Sequence, residues 1–154
     1  GRYNTFNHNF PFLTNTEPYT VFVPSQQALN DYNIDELSKD QLREVLKYHF
    51  VKGNIIFTDG KKSANYYPTT RIDENSTSYN TQFSKINIRP EANVIKIMDK
   101  NGNLYTQVEE KDNGTNQIIT YDANEESQSK WDYIATAVVH EIDHVLIPDS
   151  LKVN

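Results

Sequence analysis

One stretch near the end of the chain, Val138-Val139-His140-Glu141-Ile142-Asp143-His144-Val145-Leu146-Ile147-Pro148, limits the fold more than any other. Two incompatible structures fit its letters. It contains the His-Glu-x-x-His pattern, in which a helix sets two imidazoles one turn apart on a zinc ion and offers the glutamate as general base. A zinc-dependent hydrolase would use His140 and His144 as metal ligands and Glu141 to activate water. The composition of the stretch favours the opposite backbone. Five of the ten residues from Val138 to Ile147 are β-branched, which suits a strand. On a strand, Val138, His140, Ile142, His144 and Leu146 share one face, while Glu141 and Asp143 point the other way. The base would then be parted from the metal. Beyond Pro148 only Asp149 could serve as a third ligand. The sequence therefore predicts a closing strand from about Tyr133 to Ile147 with no bound metal, and the zinc hydrolase stands as the alternative.

Size and charge narrow the class further. A chain of 154 residues is the length of one domain, able to bury roughly 70% of the surface its unfolded form exposes. It needs no cofactor or disulfide for stability. Cysteine is absent, which removes disulfides, thiol nucleophiles and cysteine metal sites together. The net charge is −6 with the signs interleaved, so no clustered basic surface is available for nucleic acid. No apolar run approaches the ~20 residues of a membrane span. The 18 asparagines and 10 tyrosines point to a β-rich domain working outside the cytoplasm, since Asn favours turns and Tyr half-buried strands. Two Asn-x-Ser/Thr sequons, at Asn75 and Asn113, matter only in a eukaryotic secretory protein.

Along the chain, residues 1–18 form an irregular or partly helical lead-in, and residues 19–154 form the domain proper. Tyr19 to Val23 read as a first strand stopped by Pro24, and Ser25 as a cap for a short helix over Gln26 to Asn30. Ser38 with Gln41 makes a capping box for a second helix ended by Gly53. In that helix Leu42, Val45, Leu46 and His49 form the stripe of a core-facing surface. Strands are expected at Asn54–Phe57, Ile86–Ile88, Val94–Met98, Leu104–Glu109 and Gln117–Tyr121, with turns at Asp99–Asn103 and Asn113-Gly114. Tyr66-Tyr67-Pro68 belong to a looser segment, and residues 73–82 and 122–130 read as exposed polar stretches. The pattern is one α+β domain, helices early and strands late.

Three blocks resemble the fasciclin domain family in order and separation. Tyr19-Thr20-Val21-Phe22-Val23-Pro24-Ser25 through Leu29 is similar to the family's first signature. Leu42 to Val51 is similar to its central helix with the Tyr-His hallmark, here Tyr48-His49. Ala137 to Pro148 is similar to its second signature. Departures exist too: few residues precede the first signature, Thr136-Ala137 replace the customary Asn-Gly, and the region from Thr58 to Tyr133 is longer and more polar. The Asn- and Tyr-rich style resembles fasciclin-like lipoproteins of gut Bacteroidetes.

The resemblance implies an α+β fold with a wedge-like β-sheet core and short helices packed beside it. It implies a non-enzymatic module, secreted or anchored at the cell surface, that binds a surface protein or a polysaccharide. A purely structural spacer is the remaining alternative. It leaves room for a lipid anchor in the precursor and for tandem neighbours. In animal members the Tyr-His region serves integrin-dependent adhesion, which carries over by position to Tyr48 and His49 as partner-binding candidates. His49 also continues the apolar stripe, which marks it as a hydrogen-bonded core histidine. His140 and Asp143 fall on the second signature and read as structural, with Asp143 bonding backbone amides. The aromatics Tyr66, Tyr67, Tyr79, Tyr105 and Trp131 lie in or near polar segments, where a ring could stack on a sugar or anchor a protein. Equally, each could pack on its own sheet.

Overall fold

A computed structural model describes residues 17–109, 117–122 and 133–151. Most of the lead-in, the Asn113-Gly114 turn and sequon, residues 123–130 and Trp131 lie outside the described residues. The elements run in order as strand β1 (Tyr19–Pro24), helix α1 (Gln26–Tyr32), a 3-10 turn (Ile34–Glu36), helix α2 (Lys39–Tyr48) and strands β2 (Phe50–Lys52) and β3 (Asn65–Ile72). Next come β4 (Phe83–Glu91), β5 (Val94–Met98), β6 (Leu104–Glu109), β7 (Gln117–Asp122) and β8 (Tyr133–Ile142), with a last 3-10 turn at Asp149–Leu151. These eight strands form one mixed sheet in the order β6-β5-β4-β3-β2-β1-β8-β7. Among them only β1 and β8 pair in parallel, from Tyr19 opposite Ala137 to Pro24 opposite Ile142.

The sheet curls on itself, and the corner is built into β3. Its register against β4 slips between Pro68 and Ile72, and within the slip Thr69, Thr70 and Arg71 are buried one after another. Three consecutive buried residues cannot sit on a flat strand with one covered face. Here the strand leaves one half of the sheet for the other, pairing Thr69 with Val51 of β2. Thr69 donates to Ser84 O (2.7 Å) and Thr70 to Lys47 O (2.7 Å), so the corner's hydroxyls replace ladder bonds. The curl also brings β6 back towards the segment after β8, where Thr106 donates to Asp143 and Tyr105 donates to Val145 O (2.6 Å). The main core lies inside this curl, around Phe22, Val51, Ile88, Ile95 and Ile142. A second apolar cluster, Ala28, Val45, Val145 and Ile147, seats the helices.

Several expectations from sequence change. Asn54–Phe57 is not a strand. Thr20 Oγ1 donates to Asn54 O (2.7 Å) and accepts from Ile56 N–H (2.9 Å), while His140 Nε2 meets Ile56 O at 2.7 Å. Side chains of β1 and β8 thus satisfy this segment's backbone, and no ladder is needed. Tyr66-Tyr67-Pro68, a looser segment by sequence, belong to β3. Helix α2 stops at Tyr48, Phe50–Lys52 form β2, and Gly53 (φ 75°) ends that strand rather than the helix.

The closing strand stops at Ile142 instead of Ile147. From Val138 to Ile142 the alternation holds, with Val138, His140 and Ile142 buried and Glu141 exposed, although Ala137 is buried too. Asp143 and His144 are then both exposed, and Val145 to Pro148 are all buried, a pattern no single strand face can produce. The capping box of Ser38 and Gln41, the Ser25 cap, and the β5–β6 hairpin around Asp99–Asn103 are as read from the sequence.

Thr20→Val should cost about 1–3 kcal/mol, because the buried Ile56 N–H and Asn54 O lose their partner while the shape is kept. Urea unfolding monitored by tryptophan fluorescence and circular dichroism checks this; the midpoint should fall with the slope unchanged.

Candidate functional site

Helix α2 positions the Tyr48-His49 pair. Its start is fixed by the capping box, in which Ser38 Oγ accepts from Gln41 N–H and Gln41 Oε1 accepts from Ser38 N–H. Its end is fixed by His49, which is 5% exposed. The ring meets Val45 O through Nδ1 (2.7 Å), and Nε2 accepts from Leu146 N–H (3.0 Å). An accepting Nε2 must be unprotonated, so the proton resides on Nδ1 and donates to Val45. Burial lowers the His49 pKa to about 4, with the Val45 bond opposing the shift. His49 is therefore a neutral bridge between α2 and the segment after β8. Both of its nitrogens are engaged inside the protein, and Tyr48 is the member of the pair that reaches the surface.

The remaining stripe of α2 departs from the core-facing expectation. Val45 is buried, but Leu42 and Leu46 are 43% and 41% exposed. They face Val23 and Leu29 across a shallow apolar groove beside β1.

Tyr48 lies at one wall of a cleft of about 190 Å³. Its opening is framed by α2, the segment after β8, and strands β3 to β6. Tyr66 of β3 and Tyr105 of β6 complete an aromatic frame, while Ile86, Ile97 and Leu146 line its apolar part. Tyr66 is 58% exposed, and its partner across the ladder is Asn87, which in turn opposes Met98. Tyr105 is held by its bond to Val145 O and by a tilted contact with the His144 ring, 5.3 Å between centroids. Burial, and then the nearby Asp149 carboxylate, push the Tyr48 hydroxyl up to about 12, so it stays a neutral donor.

Of the other aromatics, Tyr67 is buried and donates to Ser63 O, and Tyr79 stands in an exposed loop. The polar rim of the cleft, Lys85, Asn87, Asp99 and Lys100, carries no sequence signal of its own. The hairpin turn at Asp99–Asn103 is legible, but nothing in its residues reveals what it stands beside.

The histidine-rich stretch divides between two environments. His140 is fully buried, bonded to Ile56 O and stacked on Phe22 with centroids 5.8 Å apart. Its pKa is lowered by burial. His144 is exposed and bonds Asp143 through Nδ1 at 2.8 Å. Asp143 accepts from the Thr106 hydroxyl and from His144, side-chain donors rather than the backbone amides expected, and these lower its pKa. Because the backbone is a strand to Ile142, the two imidazoles never share a helical turn. Among the described residues no group of three or more His, Asp or Glu is placed to hold a metal ion.

Comparison with known families gives a match to the Fasciclin domain over residues 4–148, nearly the whole chain. The chain belongs to the fasciclin domain family. No curated protein matches the sequence. Fasciclin domains are generally adhesion or binding modules, typically non-catalytic and usually extracellular or at a surface. No helix among the described residues is long and apolar enough to cross a membrane.

The neutral histidines make this fasciclin domain acid-sensitive. A histidine whose folded pKa is depressed binds its proton more readily when unfolded. Its stabilisation is complete above the unfolded value of 6.5 and is lost as pH falls towards the folded one. For His49 the window is 6.5 to about 4, and the loss is on the order of 3 kcal/mol. His140 adds in the same direction. Melting temperature should be level from pH 7.5 to about 6.5 and fall from there to 4.5, and His49→Gln should flatten that fall while lowering stability at pH 7.5.

Proposed function

We propose that this fasciclin domain is a non-enzymatic adhesion module, secreted or held at the cell surface, that contacts a surface protein or polysaccharide through the Tyr48–Tyr66–Tyr105 cleft. One observation carries the reading. Three tyrosines from α2, β3 and β6, far apart in sequence, meet around one opening. Tyrosine offers a broad apolar face and a polar tip at little conformational cost, and such side chains dominate recognition surfaces. Tyr48 is the contacting residue of the Tyr-His pair, and His49 holds it by fixing the end of α2 against Leu146. His140 and Asp143 act within the fold, His140 on Ile56 and Asp143 on Thr106.

The same geometry supports a role without catalysis. Glu141 is exposed on the strand face opposite the buried His140, and His144 lies beyond the strand's end, so the three do not form a zinc-hydrolase site. The chain's net charge of −6 supports partners other than nucleic acid.

Beads coated with the domain and passed over immobilised matrix protein, mucin or cell-wall polysaccharide should adhere above albumin-coated beads. Adhesion should survive EDTA, and no hydrolysis product should be released. Attachment no better than albumin on every surface would sink the proposal.

A further inference from the structure

We propose that the Tyr48–Tyr66–Tyr105 cleft is a subsite for one uncharged pyranose ring of a longer polysaccharide. This rests on the binding-module reading above and names its ligand class. Three features of the cleft select that chemistry.

The first is volume. At about 190 Å³ the cleft is smaller than the ~300 Å³ at which ligand pockets typically begin. It has room for one ring, and the chain on either side must run over the surface. The opening permits this, since Tyr66 and the Lys100 turn are exposed on its border.

The second is the pairing of aromatic and polar surfaces. A pyranose has an apolar C–H face and an edge of hydroxyls. Tyr66, more than half exposed on β3, supplies a ring for the face. Asn87 stands beside Tyr66 in the ladder, and its amide can donate and accept at the same time, as vicinal hydroxyls require. The Tyr48 hydroxyl, which donates to Lys85 O (3.4 Å), adds an acceptor at the inner wall.

The third is charge. Lys85 and Lys100 on the rim are matched by Asp99 and Asp149. Two cations against two carboxylates leave the rim formally neutral, so it offers no excess of positive charge to hold a polyanion. Had the cleft been made for acidic sugars, the carboxylates would oppose binding. A protein partner would need a standard interface of ~800 Å² on its side, and a small concave opening with a balanced rim provides only one anchor point for it.

Affinity electrophoresis of the intact 154-residue chain in gels containing soluble neutral polysaccharides (xyloglucan, galactomannan, arabinoxylan, dextran) tests this. At least one should retard the protein. Tyr66→Ala should weaken that retardation about thirtyfold, the size of a hot-spot aromatic. Tyr66→Phe, which keeps the ring, should retain it, and Tyr79→Ala, outside the cleft, should not change it. Melting curves of Tyr66→Ala should match the parent, which separates lost binding from lost folding.

Retardation only by heparin or polygalacturonate, or Tyr66→Ala binding like the parent, would overturn the inference. So would a failure of every neutral polysaccharide to retard the protein. If beads adhere to matrix protein while no neutral polysaccharide retards the domain, the pyranose subsite falls and the adhesion module stands. If the beads fail as well, both fall.

Discussion

The parallel pairing of β1 with β8 is the constraint on which the rest of this fasciclin domain depends. It sets Tyr19–Pro24 beside Ala137–Ile142, so nearly the whole chain is a single excursion between two neighbouring strands. Closing that excursion is entropically unfavourable, and the interactions that offset it gather at the junction. Phe22 and Val138 are fully buried there, and Thr20 and His140 reach from the two strands to the same residue's backbone, Ile56. A segment without ladder bonds is thereby fixed across the sheet. Pro24 has no N–H to continue the pairing; Ser25 N–H caps Ile142 O at 2.8 Å, and the chain turns into α1.

The segment after β8 is held by groups from elsewhere. Val145 O receives the Tyr105 hydroxyl, Leu146 N–H is received by His49, and Asp143 receives Thr106. These links draw β6, α2 and the post-β8 segment together, and the cleft is the space left among them. Farther along, Arg71, nearly buried at the β3 corner, ties Glu74, Ser84 and Ser150. Its Nε lies 3.3 Å from Glu44 without a hydrogen-bond alignment, so the guanidinium also anchors α2 by charge. The proposed binding cleft and the fold therefore share supports, and the tyrosines inherit their positions from bonds that stabilise the domain.

Much of this is legible in local chemistry. The capping box, the Asp99–Asn103 turn and the strict alternation of β4 are written in short-range patterns. Sequence reasoning fails where long-range partners decide. Asn54–Phe57 has the composition of a strand, but Thr20 and His140 satisfy it. Leu42 and Leu46 have helical spacing, yet the surface they face is a groove instead of the core. Asp143 bonds within the fold, but its donor, Thr106, comes from a strand whose return depends on the curl of the sheet. Tyr66 and Tyr105 can be suspected singly from their polar surroundings. Their meeting with Tyr48 cannot, because the β3 corner and the β6 return that join them leave no periodic trace in sequence.

The parallel arrangement has a mechanical meaning as well. Tyr19 and Ile142 lie at opposite ends of the paired strands, so tension entering along β1 and leaving along β8 runs parallel to both. The bonds between them are loaded together in shear, instead of one after another as when a hairpin is peeled open. A pull on the segment beyond Ile142 meets the Ser150 bonds to Arg71 and Glu74 first, then the His49 and Tyr105 clasps, before it reaches the β1–β8 ladder. Loaded between these ends, the domain would yield in stages, its side-chain clasps acting as a fuse before the sheet.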